Sequence, residues 1–224
     1  MASSGPGMSA PPHPALPADG FAGLELACRR GERLVFAGLS FLLPAGGALV
    51  LTGPNGSGKS SLLRLMAGLS RPEAGALAWD GAPVGADPAA HRSRLHFIGH
   101  QEAVKPVLTV AETLRFWAGM RGGGDVAAAL SEFRLEALAA WPCRLLSAGQ
   151  RRRLALARLV ASPAPLWLLD EPVTGLDSDG VADLLAAIAR HRAQGGRVAL
   201  STHAALALDG AASLSLADFA ARAA

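Results

Sequence analysis

Four short apolar runs punctuate the 224-residue chain, at 48–52, 95–99, 166–169 and 198–202. Each has strand length and is largely apolar, which suits strands covered on both faces of a mostly parallel sheet. A glycine or polar element follows each run: Gly53, Gln101, Asp170 with Glu171, and His203. Ligands of open α/β sheets sit outside the carboxyl ends of the strands, so these candidates are expected to converge on one edge.

Between the continuous apolar runs a helical periodicity takes over. Ser60, Leu62, Leu63, Leu65 and Met66 read as the start of an amphipathic helix closed by Gly68. Thr109 and Glu112 have capping-box spacing ahead of Leu114, Phe116 and Trp117, and Gly122, Gly123 and Gly124 break that helix. Phe116 and Trp117 are read as core. A further helical pattern covers 125–138, and Ser147 with Gln150 caps another over 151–160. Residues 1–20, rich in Pro, Ala, Ser and Gly, show no periodicity and are expected to be a disordered tail before one α/β domain at 21–224. They lack the basic start and apolar stretch of a secretory signal. No apolar stretch approaches the roughly 20 residues of a membrane-spanning helix, so a protein free of the bilayer or peripherally attached to it is expected.

Composition adds little until charge is placed. The net charge of +3 comes from arginine scattered along the chain, with Arg151, Arg152 and Arg153 the only run. That run reads as a solvated helix face, with acidic partner loops, lipid headgroups or nucleic acid as the alternative contacts. Cys28 and Cys143 show no metal-ligand spacing, which suits a reducing compartment.

The chemistry concentrates after the runs. Gly53, Pro54, Asn55, Gly56, Ser57, Gly58, Lys59 and Ser60 fit the phosphate-cradling pattern G-x-x-x-x-G-K-[ST]. Only two lysines, Lys59 and Lys105, are present; a chance match is roughly 0.3%, so coincidence is a poor explanation. The glycines let successive N–H groups point at phosphate oxygens, and the following helix N-terminus favours the anion. Lys59 is expected to hold the β and γ phosphates and Ser60 to ligate magnesium. Asp170 ends an apolar strand and suits the same magnesium, while the adjacent Glu171 suits activation of water. Ser147, Ala148, Gly149 and Gln150 form a second anion-binding helix start. One triphosphate does not need two such sites, so the second is expected to serve the nucleotide of a symmetric partner chain.

These residues resemble the ATP-binding subunit of the ABC transporter family. Gly53 to Ser60 matches the Walker A motif, Gln101 the Q-loop, Leu146 to Gln150 the signature, Leu166 to Glu171 the Walker B motif, Gly175–Leu176–Asp177 the D-loop and His203 the switch histidine. The resemblance implies a P-loop ABC cassette with a mostly parallel core sheet, an antiparallel β portion near the N-terminus and a helical subdomain at about 103–160. It implies ATP and Mg2+ as cofactors, Glu171, His203 and Gln101 as catalytic residues, and Ser60, Gln101 and Asp170 at the metal. Arg30, Ser61 and Asp177 join the loop and signature residues as nucleotide contacts. A nucleotide-sandwich dimer on a membrane permease is implied, with no nucleic acid.

The stretch Ile98–Gly99–His100–Gln101, then Lys105, Leu108–Thr109, Glu112, Phe116, the signature LSAGQ and the run from Arg152 to Leu159 are similar to the haem-exporter ATPases of bacterial cytochrome c maturation. That resemblance implies a peripheral protein at the cytoplasmic face of the bacterial inner membrane, working with other cytochrome c maturation proteins. His100 is then a structural neighbour of Gln101. A transporter ATPase for a lipid, drug or ion, and an ABC-type protein acting on ribosomes or nucleic acid, are the competing readings. Two departures stand out: Arg30 occupies the place of the usual adenine-stacking aromatic, and Ala148 replaces a common signature glycine.

Overall fold

A computed structural model describes residues 17–203 and 206–220. Most of the expected tail therefore lies outside the described residues. Within 17–20, Gly20 is buried and its N–H donates to Asp80 Oδ1 at 2.6 Å.

Two sheets organise the rest. Strands β1 (Phe21–Arg30), β2 (Arg33–Leu43), β4 (Ala74–Trp79) and β5 (Ala82–Pro83) pair antiparallel in the order β2-β1-β4-β5. Strands β3 (Ala48–Thr52), β6 (Leu95–Ile98), β7 (Leu166–Asp170), β8 (Arg197–Ser201) and β9 (Ala212–Ser215) are all parallel, in the order β6-β7-β8-β3-β9. The four apolar runs are the inner strands and one edge of this second sheet.

The continuous apolar character of the runs follows from burial on both faces. In β7, Leu166 and Leu168 pack into a core shared with the antiparallel sheet and helix α1 (Lys59–Met66), while Trp167 and Leu169 face a second core. That second core holds α3 (Val110–Gly119), α4 (Val126–Glu132), α5 (Ala148–Ala161) and α6 (Ser178–Ala193), the first three packed against one another. A short helix, α2 (Pro88–Ser93), precedes β6. Leu166, Leu168 and Leu169 are fully buried, and truncating any one to Ala costs about 2–5 kcal/mol.

Three expectations change. The helical pattern over 125–138 breaks into α4 and a 3-10 turn at Glu136–Leu138. Phe133 and Leu135 are both fully buried, and residues two apart cannot share one face of a helix. The chain resolves this with Arg134 at φ +53, the Leu135 N–H closing back on Leu130 O at 2.8 Å. Phe116 is not core but 47% exposed. The arginine run is not a solvated face throughout: Arg152 is only 3% exposed, because main-chain carbonyls surround its guanidinium.

Candidate functional site

The four strand ends meet as their order dictates. The segment after β3 wraps an open loop whose Gly53, Gly56 and Gly58 all have positive φ. A Cβ on Gly58 would lie 2.7 Å from Val35 Cγ1, so the loop fits only with glycine there. Lys59 opens α1 and is 6% exposed. Its Nζ donates to the carbonyls of Gly53 at 2.8 Å and Pro54 at 3.2 Å, folding the cation across the mouth of the loop.

Ser60 Oγ donates to Asp170 Oδ1 at 3.0 Å, tying the start of α1 to the end of β7. Ser201, at the end of the intervening β8, donates to the same Oδ1 at 2.6 Å and accepts the Glu171 N–H at 3.0 Å. Glu171 sits at φ +48, a left-handed conformation that costs a side-chain-bearing residue about 1–2 kcal/mol. Strain of this kind is held only where neighbours over-determine it. His203 follows β8, its N–H donating to Glu171 Oε2 at 3.3 Å. Its Nε2 lies 3.3 Å from Lys59 Nζ and 3.4 Å from Glu171 Oε1, so one ring nitrogen stands between a cation and an anion.

A cavity of about 410 Å³ lies over this cluster, lined by Arg30, Arg33, Val35, Asn55, Gly56, Gly58, Lys59, Ser60, Ser61, Glu171 and His203. A neighbouring cavity of about 640 Å³ shares Arg30 and Ser60 and brings in His100, Gln101 and Asp170. Arg30, placed by the sequence against the base, thus sits at the rim of both. The contents of the site fit a magnesium nucleotide. Glu171 Oε1 and Ser57 Oγ are buried without a hydrogen-bond partner, and the cavity wall is otherwise rich in cationic and N–H donors. Ser60, Asp170 and Gln101 offer oxygen ligands suited to a hard cation that also takes substrate phosphates. Among the described residues, no cluster of three His, Cys, Asp or Glu side chains forms an alternative metal site.

The remaining predicted residues stand apart. Ser147 caps α5, its Oγ accepting the Gln150 N–H at 3.2 Å while Gln150 Oε1 accepts the Ser147 N–H at 2.9 Å, a complete capping box. Ser147, Gly149, Gln150 and Asp177 line a separate cavity of about 390 Å³ that holds no phosphate-loop residue; Ala148 is the first residue of the same helix. Asp177 caps α6 through the Gly180 N–H at 2.9 Å and pairs with Arg153 at 2.5 Å. Those two contacts hold its carboxyl below the usual carboxylate range. Within one chain, then, the starts of α1 and α5 line separate cavities.

Sequence reasoning missed Ser201, Arg152, Arg33 and Val35. A serine ending an apolar strand and an arginine within a run of three carry no spacing signature, since their partners lie far away in sequence.

Residues 36–174 match the family model described as ABC transporter. The chain belongs to the ABC transporter family. It is an ATP-binding cassette of the ATPase type. It is 58% identical over 206 residues to the cytochrome c biogenesis ATP-binding export protein CcmA of Paramagnetospirillum magneticum, covering 89% of this chain and 95% of that protein. The CcmA of Rhodospirillum rubrum is also 58% identical, covering 89% and 87%, and that of Escherichia coli K12 is 47% identical, covering 80% and 86%. A solved ATP-binding subunit of an ABC transporter superposes with a TM-score of 0.74 at 27% identity, covering 82% of this chain and 79% of that one. A cassette described as dimeric, MJ0796, gives 0.71 at 23% identity over 82% and 88%, a likeness of fold.

Proposed function

We propose that this chain is the ATP-hydrolysing subunit of a membrane transporter complex in c-type cytochrome biogenesis, serving haem export or release of a haem chaperone. The observation that carries the ATPase reading is the convergence of Lys59, Ser60, Glu171 and His203 over one cavity, with Asp170 bonded to Ser60 at its edge. The likeness to the CcmA proteins over nearly the whole of their length supports the cytochrome branch.

Lys59 exchanges its two loop carbonyls for β and γ phosphate oxygens, with the N–H groups around Gly56 and Gly58 completing the cradle. Ser60, Asp170 and Gln101 would hold a magnesium ion, which would supply charge neutralisation at the phosphates. Glu171 takes a proton from the attacking water, and His203 keeps that carboxylate and Lys59 oriented. Arg30 stacks its guanidinium on the base. Ser147 to Gln150 and Asp177 face the nucleotide of a second copy in a head-to-tail sandwich.

The helical unit at 103–160 carries the membrane contact. An apolar groove of about 370 Å³ between the segment after Gln101 and α3, lined by Val104, Leu108, Phe116 and Trp117 among others, suits a loop of the permease. No helix among the described residues is long and apolar enough to cross a membrane, which fits peripheral attachment at the cytoplasmic face of the inner membrane.

The Glu171→Gln form tests this reading twice. It should bind MgATP as wild type does and lose turnover by about 10²-fold or more. Purified from membranes with ATP, it should carry a multi-spanning subunit and cytochrome c maturation proteins. Recovery of an unrelated permease would change the substrate while sparing the ATPase, whereas unimpaired turnover would move the base away from Glu171.

A further inference from the structure

Arg152 lies in the second turn of α5, 3% exposed; among the described residues it forms no salt bridge, although Glu102, Asp170 and Glu171 act on it at longer range. Its Nε donates to Pro172 O at 3.1 Å, its Nη1 to Gly99 O at 3.0 Å, and its Nη2 to Asp170 O at 3.0 Å and Glu171 O at 2.7 Å. A planar, always-charged fork is suited to gathering carbonyls that arrive from several directions. The four carbonyls belong to the segment after β6 that leads to Gln101, to the end of β7, and to the turn bearing Glu171.

Burial of this cation is expensive, and its guanidinium pKa is lowered by desolvation. An apolar side chain would fill a core position at smaller cost, so the arrangement asks for a reason beyond packing. The left-handed Glu171 supplies one. Its N–H is held by Ser201 and its carbonyl by Arg152, so the two residues clamp the peptide planes on either side of its Cα.

We infer that Arg152 is a positioning residue for hydrolysis, which ties the anion-binding start of α5 to the turn of Glu171 and to the approach to Gln101. Engagement of Ser147 and its neighbours by a second copy's nucleotide then bears directly on the carboxylate of the same chain. This rests on the reading of Glu171 as the base.

Arg152→Gln and Arg152→Lys decide the matter, compared with wild type by phosphate release, by titration with a fluorescent ATP analogue and by thermal melting. A displaced base lowers kcat without weakening the phosphate grip, so Arg152→Gln should lose about 10–100-fold in kcat while its Kd for the analogue stays within about twofold. Arg152→Lys retains the charge and part of the donor set and should recover part of the loss. Wild-type kcat in Arg152→Gln overturns the proposal. So does a lysine variant no better than the glutamine one, or loss of the folded state in both, which would leave Arg152 a stabilising residue alone. If Glu171→Gln turns over normally, the reading of the base fails whatever Arg152 does.

Discussion

Buried histidine makes the fold sensitive to acid. His96 in β6 is 2% exposed, and its Nε2 donates to Ser162 O at 2.5 Å. Desolvation pushes its pKa down to about 3, the carbonyl bond opposing and Arg121, Arg158 and His191 adding to the fall. His191, stacked on Trp167 with ring centroids 3.9 Å apart, is pushed by burial to about 4. In the unfolded chain both titrate near 6.5, so the folded values are depressed. The stability they confer is complete above pH 6.5 and is lost as pH falls towards 3 and 4, at a limiting slope of about 1.4 kcal/mol per pH unit for the deeply buried His96 and less for His191, which solvent partly screens. Urea midpoints measured from pH 7 to 5 should therefore fall steeply in the wild type and less steeply in His96→Gln, which keeps a donor for Ser162. Parallel declines would place the acid sensitivity elsewhere. At this scale the candidate residues were legible where a spaced loop motif or a carboxylate pair followed an apolar run, as for Lys59 and for Asp170 with Glu171. Ser201 and Arg152 were not, because what they bind is mostly main chain brought near by the sheet order, and no spacing records that.

Elements were legible where they carried their own punctuation. Both capping boxes exist as spaced, at Thr109 with Glu112 and at Ser147 with Gln150, since a cap is a local contract between residues three apart. The antiparallel sheet was visible only through the family resemblance. Register shifts fall between Gly23, Leu26, Cys28 and Arg29 of β1, and Glu25 takes φ +48, so the period of two that would mark a strand is scrambled. The cap of α5 also permits a clean separation of stability from function. Ser147→Ala removes the acceptor for the Gln150 N–H and should cost about 1 kcal/mol, a fall of about 2–4 °C in Tm. Ser147→Asp keeps the cap and should melt near wild type, yet it sets a negative charge where a triphosphate is proposed to bind and should nearly abolish turnover. If melting and phosphate release fell together in the aspartate variant, or if it hydrolysed ATP normally, the helix start would have no role beyond its own stability.

For the whole molecule, the convergence of four strand ends was legible because parallel sheets place their ligands at one edge; which cavities stay apart was not. The phosphate loop and the α5 cap line different cavities of one chain, and that separation gives the sandwich arrangement a test that a single chain cannot mimic. Lys59→Ala damages only the loop and Ser147→Asp only the cap, so each pure variant has every composite site broken. Mixed one to one, the heterodimer joins the intact cap of the first to the intact loop of the second, giving one whole site beside one doubly broken one. With random pairing about half the dimers are mixed and each has one of two sites, so about a quarter of wild-type phosphate release should return if the sites act independently. Phosphate release from the mixture no greater than the sum of the two pure variants would return both motifs to the same chain, because only a site shared across a two-fold interface can be repaired by a partner broken elsewhere.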